Sequence, residues 1–334
     1  MRNYLAAAQR AWSHCAKLPN VVGVGLGFKE KNQFRTDRLA VVVFVTEKLP
    51  PEELNAQTLV PRTISGLETD VVEIGEVRLL TSRTARVRPA PPGVSIGHPK
   101  ITAGTFGALV KDAHTKEPLI LSNNHILANA SNGRDGRATI GDPIFQPGTY
   151  DGGKSEDTIA HLLRFVPVAT EYQQSSCPFS RRTASMGNAM LSAIRPNYRF
   201  QFIKATNAPN LVDCAVAKPI SPGVITSEIL ELGLIRGVAD VKLGDILRKS
   251  GRTSGLTTGP VTALAATLRI QMHEGVYALF SDQIVATLGS QGGDSGSLVV
   301  NENNEAVGLL FAGSDRSTIA NRIQNVMSEL EITF

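Results

Sequence analysis

The feature that most constrains the fold is a succession of short apolar runs between turn residues, which begins near residue 104 and continues almost to the C-terminus. Each run has the length of one β-strand, and the Gly-, Pro-, Asn- and Asp-containing stretches between them are typical of turns. The predicted strands are 104–110, 119–122, 158–165, 211–217, 245–247, 260–270, 283–286, 296–300 and 306–311. Many short strands in one segment predict a β-sandwich or a β-barrel.

Residues 1–82 have a different pattern, which predicts a small α/β domain. Apolar residues recur at helical spacing at Leu5, Ala8, Trp12 and Cys15, and strand-like runs follow at 21–28, 39–46, 69–75 and 77–80. Run 39–46 is almost continuously apolar, so we expect it to be buried on both faces. The Gly-x-Gly-x-Gly motif at 23–27 lies inside a strand and precedes no helix, which argues against a dinucleotide loop.

Two segments separate or interrupt the predicted domains. Residues 83–94 are rich in Pro, Gly, Ser and Arg and predict an exposed linker, with a processing site at Arg83, Arg86 and Arg88 as the alternative. Residues 169–210 have weak periodicity and exceed the length of an ordinary loop, so they predict a functional or mobile insertion.

The strand-rich region is expected to form two domains, 95–218 with its insertion and 219–334. Its last residues predict a C-terminal helix on the outside of the second domain, because five apolar side chains fall on one helical face. These side chains are Ile319, Ile323, Val326, Met327 and Leu330.

Composition excludes several function classes. The net charge of +4 is small and the basic residues are interspersed with acidic ones, so we expect no nucleic-acid partner. The start of the chain lacks the apolar core of a signal peptide, and no apolar stretch is long enough to span a membrane. The three cysteines are widely spaced without a metal-ligand pattern. We therefore expect a cytoplasmic protein with reduced cysteines, no membrane partner and no metal or other cofactor.

The motif Gly-Asp-Ser-Gly at 293–296 predicts a nucleophile turn, because it leads into a Val-rich strand and would expose the hydroxyl of Ser295. The same residues also build ordinary turns. A serine nucleophile needs an imidazole base that a carboxylate orients. His125 lies where a buried strand gives way to a polar turn, and Asp213 lies inside an apolar strand, where a carboxylate is costly unless it is paired.

The order His125, Asp213, Ser295 resembles that of the chymotrypsin/trypsin family of serine proteases. The sequence Ser-Asn-Asn-His at 122–125 is similar to the histidine motif of that family, and Leu-Val-Asp at 211–213 is similar to its aspartate strand. The resemblance extends over about 95–334 and is closest to the bacterial relatives of plant narrow-leaf protein, which the N-terminal domain also resembles. It implies a mainly β, chymotrypsin-like double β-barrel with a C-terminal helix, and with the three residues in the cleft between the barrels.

The resemblance also implies further site residues. The backbone N–H groups of Gly293 and Ser295 would form an oxyanion hole, and Gly313 would hydrogen-bond an extended substrate. Gly289 and Ser290 would lie near the primary specificity pocket, which has no carboxylate there and so favours a small or apolar residue before the scissile bond. An ion pair between Arg252 and Asp294 is expected to hold the nucleophile turn without proteolytic activation.

These features together predict an intracellular serine endopeptidase that hydrolyses protein or peptide substrates through an acyl-enzyme intermediate. Regulation by the N-terminal domain, by the linker or insertion, or by a protein partner is also expected. A binding or scaffold protein that retains the protease fold, with little or no turnover, is the main alternative. An acyl hydrolase that does not cleave peptides is a further alternative.

Overall fold

The structure is a computed structural model that describes residues 2–18, 20–31, 34–55, 59–75, 77, 82–175, 177–206 and 208–334. The chain divides into two compact units, Met1–Thr81 and Ser82–Phe334.

The N-terminal unit is one helix and one four-stranded sheet. Its elements are α1 (Arg2–Cys15), β1 (Val21–Lys31), β2 (Phe34–Val45), β3 (Thr63–Ile64) and β4 (Leu67–Glu73). The strand order is β1-β2-β4-β3, in which β2 and β4 are parallel and the other neighbours are antiparallel. The predicted strand at 77–80 falls largely outside the described residues.

Strand β2 is the centre of this sheet because both of its faces are covered. Its alternate residues Val41 and Val43 are fully buried in a cluster with Ala11 of α1. On the other face, the glycines of β1 make room for larger side chains of β2. A Cβ atom at Gly27 would lie only 2.9 Å from the side chain of Val42, so the glycine motif serves the packing of this sheet.

The second unit consists mainly of short strands with three helices between them. Its elements are β5 (Ser95–Ile96), β6 (Gly104–Thr105), β7 (Ala108–Asp112), β8 (Pro118–Ser122), α2 (Asn124–Leu127), β9 (Pro143–Phe145), β10 (Thr158–Phe165), β11 (Tyr172–Gln174), α3 (Pro178–Ile194), β12 (Ile203–Ala205), β13 (Ala215–Pro219), β14 (Gly237–Val238), β15 (Ile246–Gly251), β16 (Gly255–His273), β17 (Val276–Ala286), β18 (Leu298–Val300), β19 (Glu305–Gly313), β20 (Thr318–Arg322), α4 (Ile323–Leu330) and β21 (Ile332–Thr333).

These strands close into two barrels of six strands each, where β6 and β7 of the first barrel count as one interrupted strand. In the first barrel the order is β9-β10-β13-β8-β7, and β6, which leads into β7, pairs with β5. Gly97, directly after β5, bridges to Phe145 of β9 and closes the ring. In the second barrel β15, β16, β17, β20, β19 and β18 pair in that cyclic order. The predicted mainly β fold with a double barrel is therefore confirmed.

The C-terminal helix is confirmed as well, but one residue of its predicted face belongs to a strand. Ile323, Val326 and Leu330 of α4 are buried in a cluster with side chains of both barrels. Ile319 instead lies in β20, which hydrogen-bonds to β17 and β19. Closing the second barrel requires this strand, so the helix begins only at Ile323.

The expected exposed linker at 83–94 is wrong, because these residues belong to the second unit and their arginines bind other parts of it. Arg83 donates to the hydroxyl of Ser250 at 2.9 Å, and Arg86 pairs with Asp157 at 2.8 Å. Arg88 donates to the backbone carbonyl of Gln146 at 3.2 Å. A cation that finds a fixed acceptor on a folded surface does not behave as part of a solvated connector.

The insertion at 169–210 has structure that its weak periodicity did not predict. It consists of the two-stranded sheet β11–β12, with the 17-residue helix α3 between the two strands. The side chain of Asn188 on α3 hydrogen-bonds both the N–H and the carbonyl of Phe200, which holds the helix against the chain that returns to β12.

Candidate active site

The imidazole of His125 and the carboxylate of Asp213 form a direct hydrogen bond in the first barrel. Nδ1 of His125 lies 2.6 Å from Oδ2 of Asp213, and the backbone N–H of His125 donates to Oδ1 at 3.2 Å. His125 stands in α2, just beyond the end of β8, and Asp213 lies two residues before β13. Because β8 and β13 pair, they bring the two side chains together across 88 residues of sequence.

This pair has a buried end and an open end. The Asp213 side chain is completely buried, whereas 24% of the His125 side chain is exposed. In a neutral imidazole whose Nδ1 donates to a carboxylate, Nε2 carries no proton and can accept one. In the described part of the chain, Nε2 of His125 has no hydrogen-bond partner. The arrangement fits a general base whose Nδ1 is oriented by a buried carboxylate and whose ring is partly exposed to solvent.

Three buried amide side chains, at Asn123, Gln283 and Asn321, hold Asp213 in place. Asn123 donates to the Asp213 carbonyl at 2.8 Å, and the Asp213 N–H donates to Oδ1 of Asn321 at 2.9 Å. Asn321 in turn donates to Gln283 at 2.7 Å, and Gln283 donates to the carbonyl of Leu211 at 2.9 Å. Since Gln283 and Asn321 belong to the second barrel, the network fixes the aspartate relative to both barrels.

Sequence reasoning did not single out these amides. The sequence offered little signal for Gln283 and Asn321, because both amides stand beside other polar residues. Gln283 follows Asp282 in β17, and Asn321 precedes Arg322 in β20.

Ser295 lies in the turn between β17 and β18, and glycine contacts set the position of this turn. A Cβ atom at Gly296, which has a φ of +93°, would lie 2.1 Å from the hydroxyl oxygen of Ser122. The N–H of Thr105 also donates to the Ser295 carbonyl at 2.8 Å. Ser122 ends the strand that leads to His125, so the turn packs directly against the elements that carry the imidazole.

The hydroxyl of Ser295 donates to the carbonyl of Phe311 at 3.4 Å, which is a long hydrogen bond. Within the described residues it has no hydrogen bond to His125. The structure thus places the predicted nucleophile in the adjoining turn, with its hydroxyl turned towards β19.

The backbone N–H groups of Gly293 and Ser295 make no hydrogen bond within the described residues, although their turn is ordered by its other contacts. Thr105 donates its hydroxyl to the Gly293 carbonyl at 2.8 Å, which fixes the orientation of that peptide. Gly293 has a φ of +99°, and a Cβ atom there would lie 2.5 Å from the Thr253 hydroxyl. Two unpaired donors beside a serine can stabilise negative charge on a substrate oxygen.

The expected ion pair between Arg252 and Asp294 is wrong: Lys249 is the partner of Asp294. Nζ of Lys249 lies 3.1 Å from Oδ2 of Asp294, and both side chains are completely buried. The carboxylate also accepts the Ser254 hydroxyl and the N–H groups of Thr253, Ser254 and Gln291. Burial disfavours its ionised form, but these hydrogen bonds and the Lys249 charge outweigh burial and keep the pKa of Asp294 below its ordinary value.

The alternation of side chains along β15 explains why Lys249, and not Arg252, pairs with Asp294. Lys249 and Gly251 point to the same face, and a Cβ atom at Gly251 would lie 2.4 Å from the Asp294 carboxylate. Arg252 follows at the turn and pairs with Asp151 instead, with a distance of 2.9 Å between Nε and Oδ2. A lysine in a strand usually indicates a solvated face, which is why Lys249 was missed.

Of the three residues expected to bind substrate, Ser290 and Gly313 lie together. A Cβ atom at Gly313 would stand 2.6 Å from the hydroxyl oxygen of Ser290, which in turn lies 2.9 Å from that of Thr318. Gly289 has a φ of +65° and open space around it. The surface that these residues form carries hydroxyl and backbone groups without a charge.

Among the described residues, no three His, Cys, Asp or Glu side chains are grouped so that they could hold a metal ion. None of the helices in the described ranges has the length and apolar character needed to cross a bilayer.

No protein-family model matches the chain, and no curated protein matches it. Solved structures are similar at low identity. A glutamic acid-specific serine protease is 15% identical with a TM-score of 0.46, over 73% of this chain and 99% of the other. Nocardiopsis protease is 12% identical with a TM-score of 0.45, over 73% and 98%. Chymotrypsin from Cellulomonas bogoriensis is 12% identical with a TM-score of 0.44, over 73% and 97%.

Proposed function

We propose that this chain is a serine endopeptidase in which Ser295, His125 and Asp213 act as nucleophile, general base and orienting carboxylate. The observation that carries the proposal is the 2.6 Å hydrogen bond between His125 and the buried Asp213, beside a serine turn with two unpaired N–H groups. A shared fold hosts many activities, so the geometry of the site has to support the function.

The proposed reaction begins with rotation of the Ser295 side chain from the Phe311 carbonyl towards Nε2 of His125. His125 takes the hydroxyl proton while Oγ bonds to the scissile carbonyl carbon, and the N–H groups of Gly293 and Ser295 bind the resulting oxyanion. One such donor typically contributes about 3 kcal/mol to transition-state stabilisation. The proton then passes from His125 to the leaving amine, the C–N bond breaks, and water releases the acyl group by the same steps.

The test is covalent labelling by a fluorophosphonate probe. We expect the full chain to be labelled at Ser295, and Ser295→Ala to abolish labelling while its circular dichroism spectrum stays unchanged. Ser192→Ala, at an exposed serine of α3, is the matched control and should label like the parent. A fluorophosphonate adduct that mass spectrometry locates on any residue other than Ser295 would refute this assignment of the nucleophile.

The proposed substrate is a protein or peptide with a small or apolar residue before the scissile bond. The contacts of Ser290 and Gly313 support this preference, because the groups that neighbour them are hydroxyl and backbone groups, which carry no charge. Gly313 at the end of β19 would hydrogen-bond the substrate backbone as an added strand. The cleavage profile on a peptide library is the measurement, and dominant cleavage after Lys, Arg or Glu would contradict it.

A second candidate function is a binding protein that keeps the protease fold without turnover. The observation in its favour is the Ser295 hydroxyl, which points to Phe311 instead of His125. A folded protein that the fluorophosphonate never labels, with or without peptide ligands, would support this second function.

We also propose an intracellular location, control by the N-terminal unit or a protein partner, and kinship with the bacterial relatives of plant narrow-leaf protein. The reduced state of Cys15, Cys177 and Cys214 is compatible with such a location. If a chain that starts at Ser82 folds and cleaves the same peptides at the same rate as the full chain, the N-terminal unit does not control the site.

A further inference from the structure

Helix α3 presents an apolar stripe to solvent. Phe179, Met186, Met190 and Ile194 follow one another at spacings of seven, four and four residues, which places them on one face of the helix. Their exposed fractions are 76%, 67%, 75% and 78%. The opposite side of the helix contacts the chain near Phe200, and no residue of α3 is buried. Packing of an apolar face normally stabilises a helix in a protein, so we expect this exposed face to pack against a binding partner.

The segment that contains this helix carries charged side chains of one sign only. The segment 172–206, which we call the basic arm, has five cations, Arg181, Arg182, Arg195, Arg199 and Lys204, and no acidic residue. The rest of the chain has 29 of the 34 basic residues and all 30 acidic residues, a net charge of −1. The whole positive excess of the molecule therefore lies in the part that also exposes the apolar stripe.

We propose that the basic arm binds the surface of an anionic lipid bilayer, with the apolar stripe of α3 inserted between the headgroups and the arginines at the lipid phosphates. An amphipathic helix with one apolar face and cations on its polar side is suited to this position. The expected exclusion of a membrane partner rested on the absence of a spanning segment. A surface-bound helix needs no such segment.

The charge also decides against a second copy of the chain as the occupant. A symmetric contact between two α3 helices would bring two basic arms together, each with five cations and no anion to offset them. An anionic bilayer would bury the apolar stripe and also neutralise the five cations, whereas self-association would only bury the stripe.

Sedimentation with vesicles tests this binding. The full chain should sediment with phosphatidylcholine vesicles that contain about one third phosphatidylglycerol and stay in solution with phosphatidylcholine alone. Replacing Arg181 and Arg182 by Gln should weaken partitioning about fivefold for each charge removed. The double substitution Met186→Asp and Met190→Asp should reduce it at least about tenfold, because charged groups would then have to enter the headgroup region.

Matched controls keep the result specific. Ile140→Asp with Leu243→Asp changes two apolar side chains that are exposed outside the basic arm, and Lys111→Gln with Lys242→Gln removes two exposed charges there. Both control proteins should bind vesicles like the parent. The Ser295→Ala protein should also bind, so this result is independent of the proposed protease activity.

Absence of binding to the anionic vesicles at low salt would overturn the proposal and favour an acidic protein as the occupant. Equal binding to neutral vesicles, or unchanged binding of the Met186→Asp and Met190→Asp protein with an unchanged melting temperature, would overturn it as well.

Discussion

Lys249 and Asp294 are the two charges that the second barrel buries completely next to the proposed nucleophile. Removing one member of such a pair leaves a charge without a partner in a place that water does not reach. Asp294 directly precedes Ser295 and accepts the N–H groups of Thr253, Ser254 and Gln291. A change at Lys249 should therefore disturb the turn as well as the stability.

We predict that Lys249→Met lowers the free energy of unfolding by about 3 kcal/mol and slows fluorophosphonate labelling at least about tenfold. Urea unfolding and the labelling rate are the two measurements. The control is Arg252→Met combined with Asp151→Asn, which removes the neighbouring pair without leaving a buried charge. If the control stops labelling and Lys249→Met does not, Arg252 holds the turn after all.

The lowered pKa of Asp294 predicts how the stability of the protein changes at low pH. An unfolded aspartate titrates at about pH 4. The Asp294 carboxylate therefore contributes its full stabilisation above that pH and loses it as the pH falls through its lower folded-state pKa. Asp294→Asn should therefore be less stable than the parent near neutral pH, and this difference should shrink at about pH 3. Urea unfolding of both proteins at the two pH values measures it. A difference that stays constant would mean that the Asp294 carboxyl does not titrate below its unfolded value.

At the level of elements, the turn from β17 to β18 depends on glycine at 296. Gly296→Ala would place a methyl group 2.1 Å from the Ser122 hydroxyl oxygen and 2.5 Å from the Thr105 carbonyl, at a φ of +93°. We expect a loss of about 2 kcal/mol or more in unfolding free energy and a slower labelling reaction, because the turn has to move. Gly292→Ala is the control for stability, since a Cβ atom there has no neighbour within 4 Å. Equal stability of the two variants would contradict the packing of this turn against the first barrel.

The sequence predicted elements and site residues where residue type alone was decisive. The pairing of His125 with Asp213 could be predicted because an aspartate in an apolar strand is costly unless it is paired, and the structure brings the two side chains together. Ser295 as the nucleophile stays a prediction, since Gly, Asp and Ser also build ordinary turns. The short strands β5 and β9 were missed, since two or three residues are too few to show alternation. Helix α3 was missed although four apolar residues recur in it at helical spacing, because small and polar residues separate them and its inner side packs through groups such as Asn188.

At the scale of the whole molecule, the proposed site depends on how the two barrels are joined. The side chain of Asn321, from the second barrel, accepts the Asp213 N–H of the first barrel at 2.9 Å and donates to Gln283 at 2.7 Å. All three residues are almost completely buried, so water does not replace these bonds easily. The position of the aspartate is thereby coupled to the closure of the second barrel.

We predict that Asn321→Ala leaves the Asp213 N–H and the side-chain Oε1 of Gln283 unsatisfied and lowers the free energy of unfolding by about 2 kcal/mol or more. The labelling rate should fall too, because His125 is oriented by an aspartate that has lost its support. Asn303→Ala, at an exposed turn between β18 and β19, should change neither quantity. A destabilised Asn321→Ala protein whose labelling rate keeps its value and its pH dependence would show that the amide network serves stability alone.

An equal loss of labelling rate in Asn321→Ala and Gln283→Ala, without further loss in the double variant, is the result expected if the network acts as one unit.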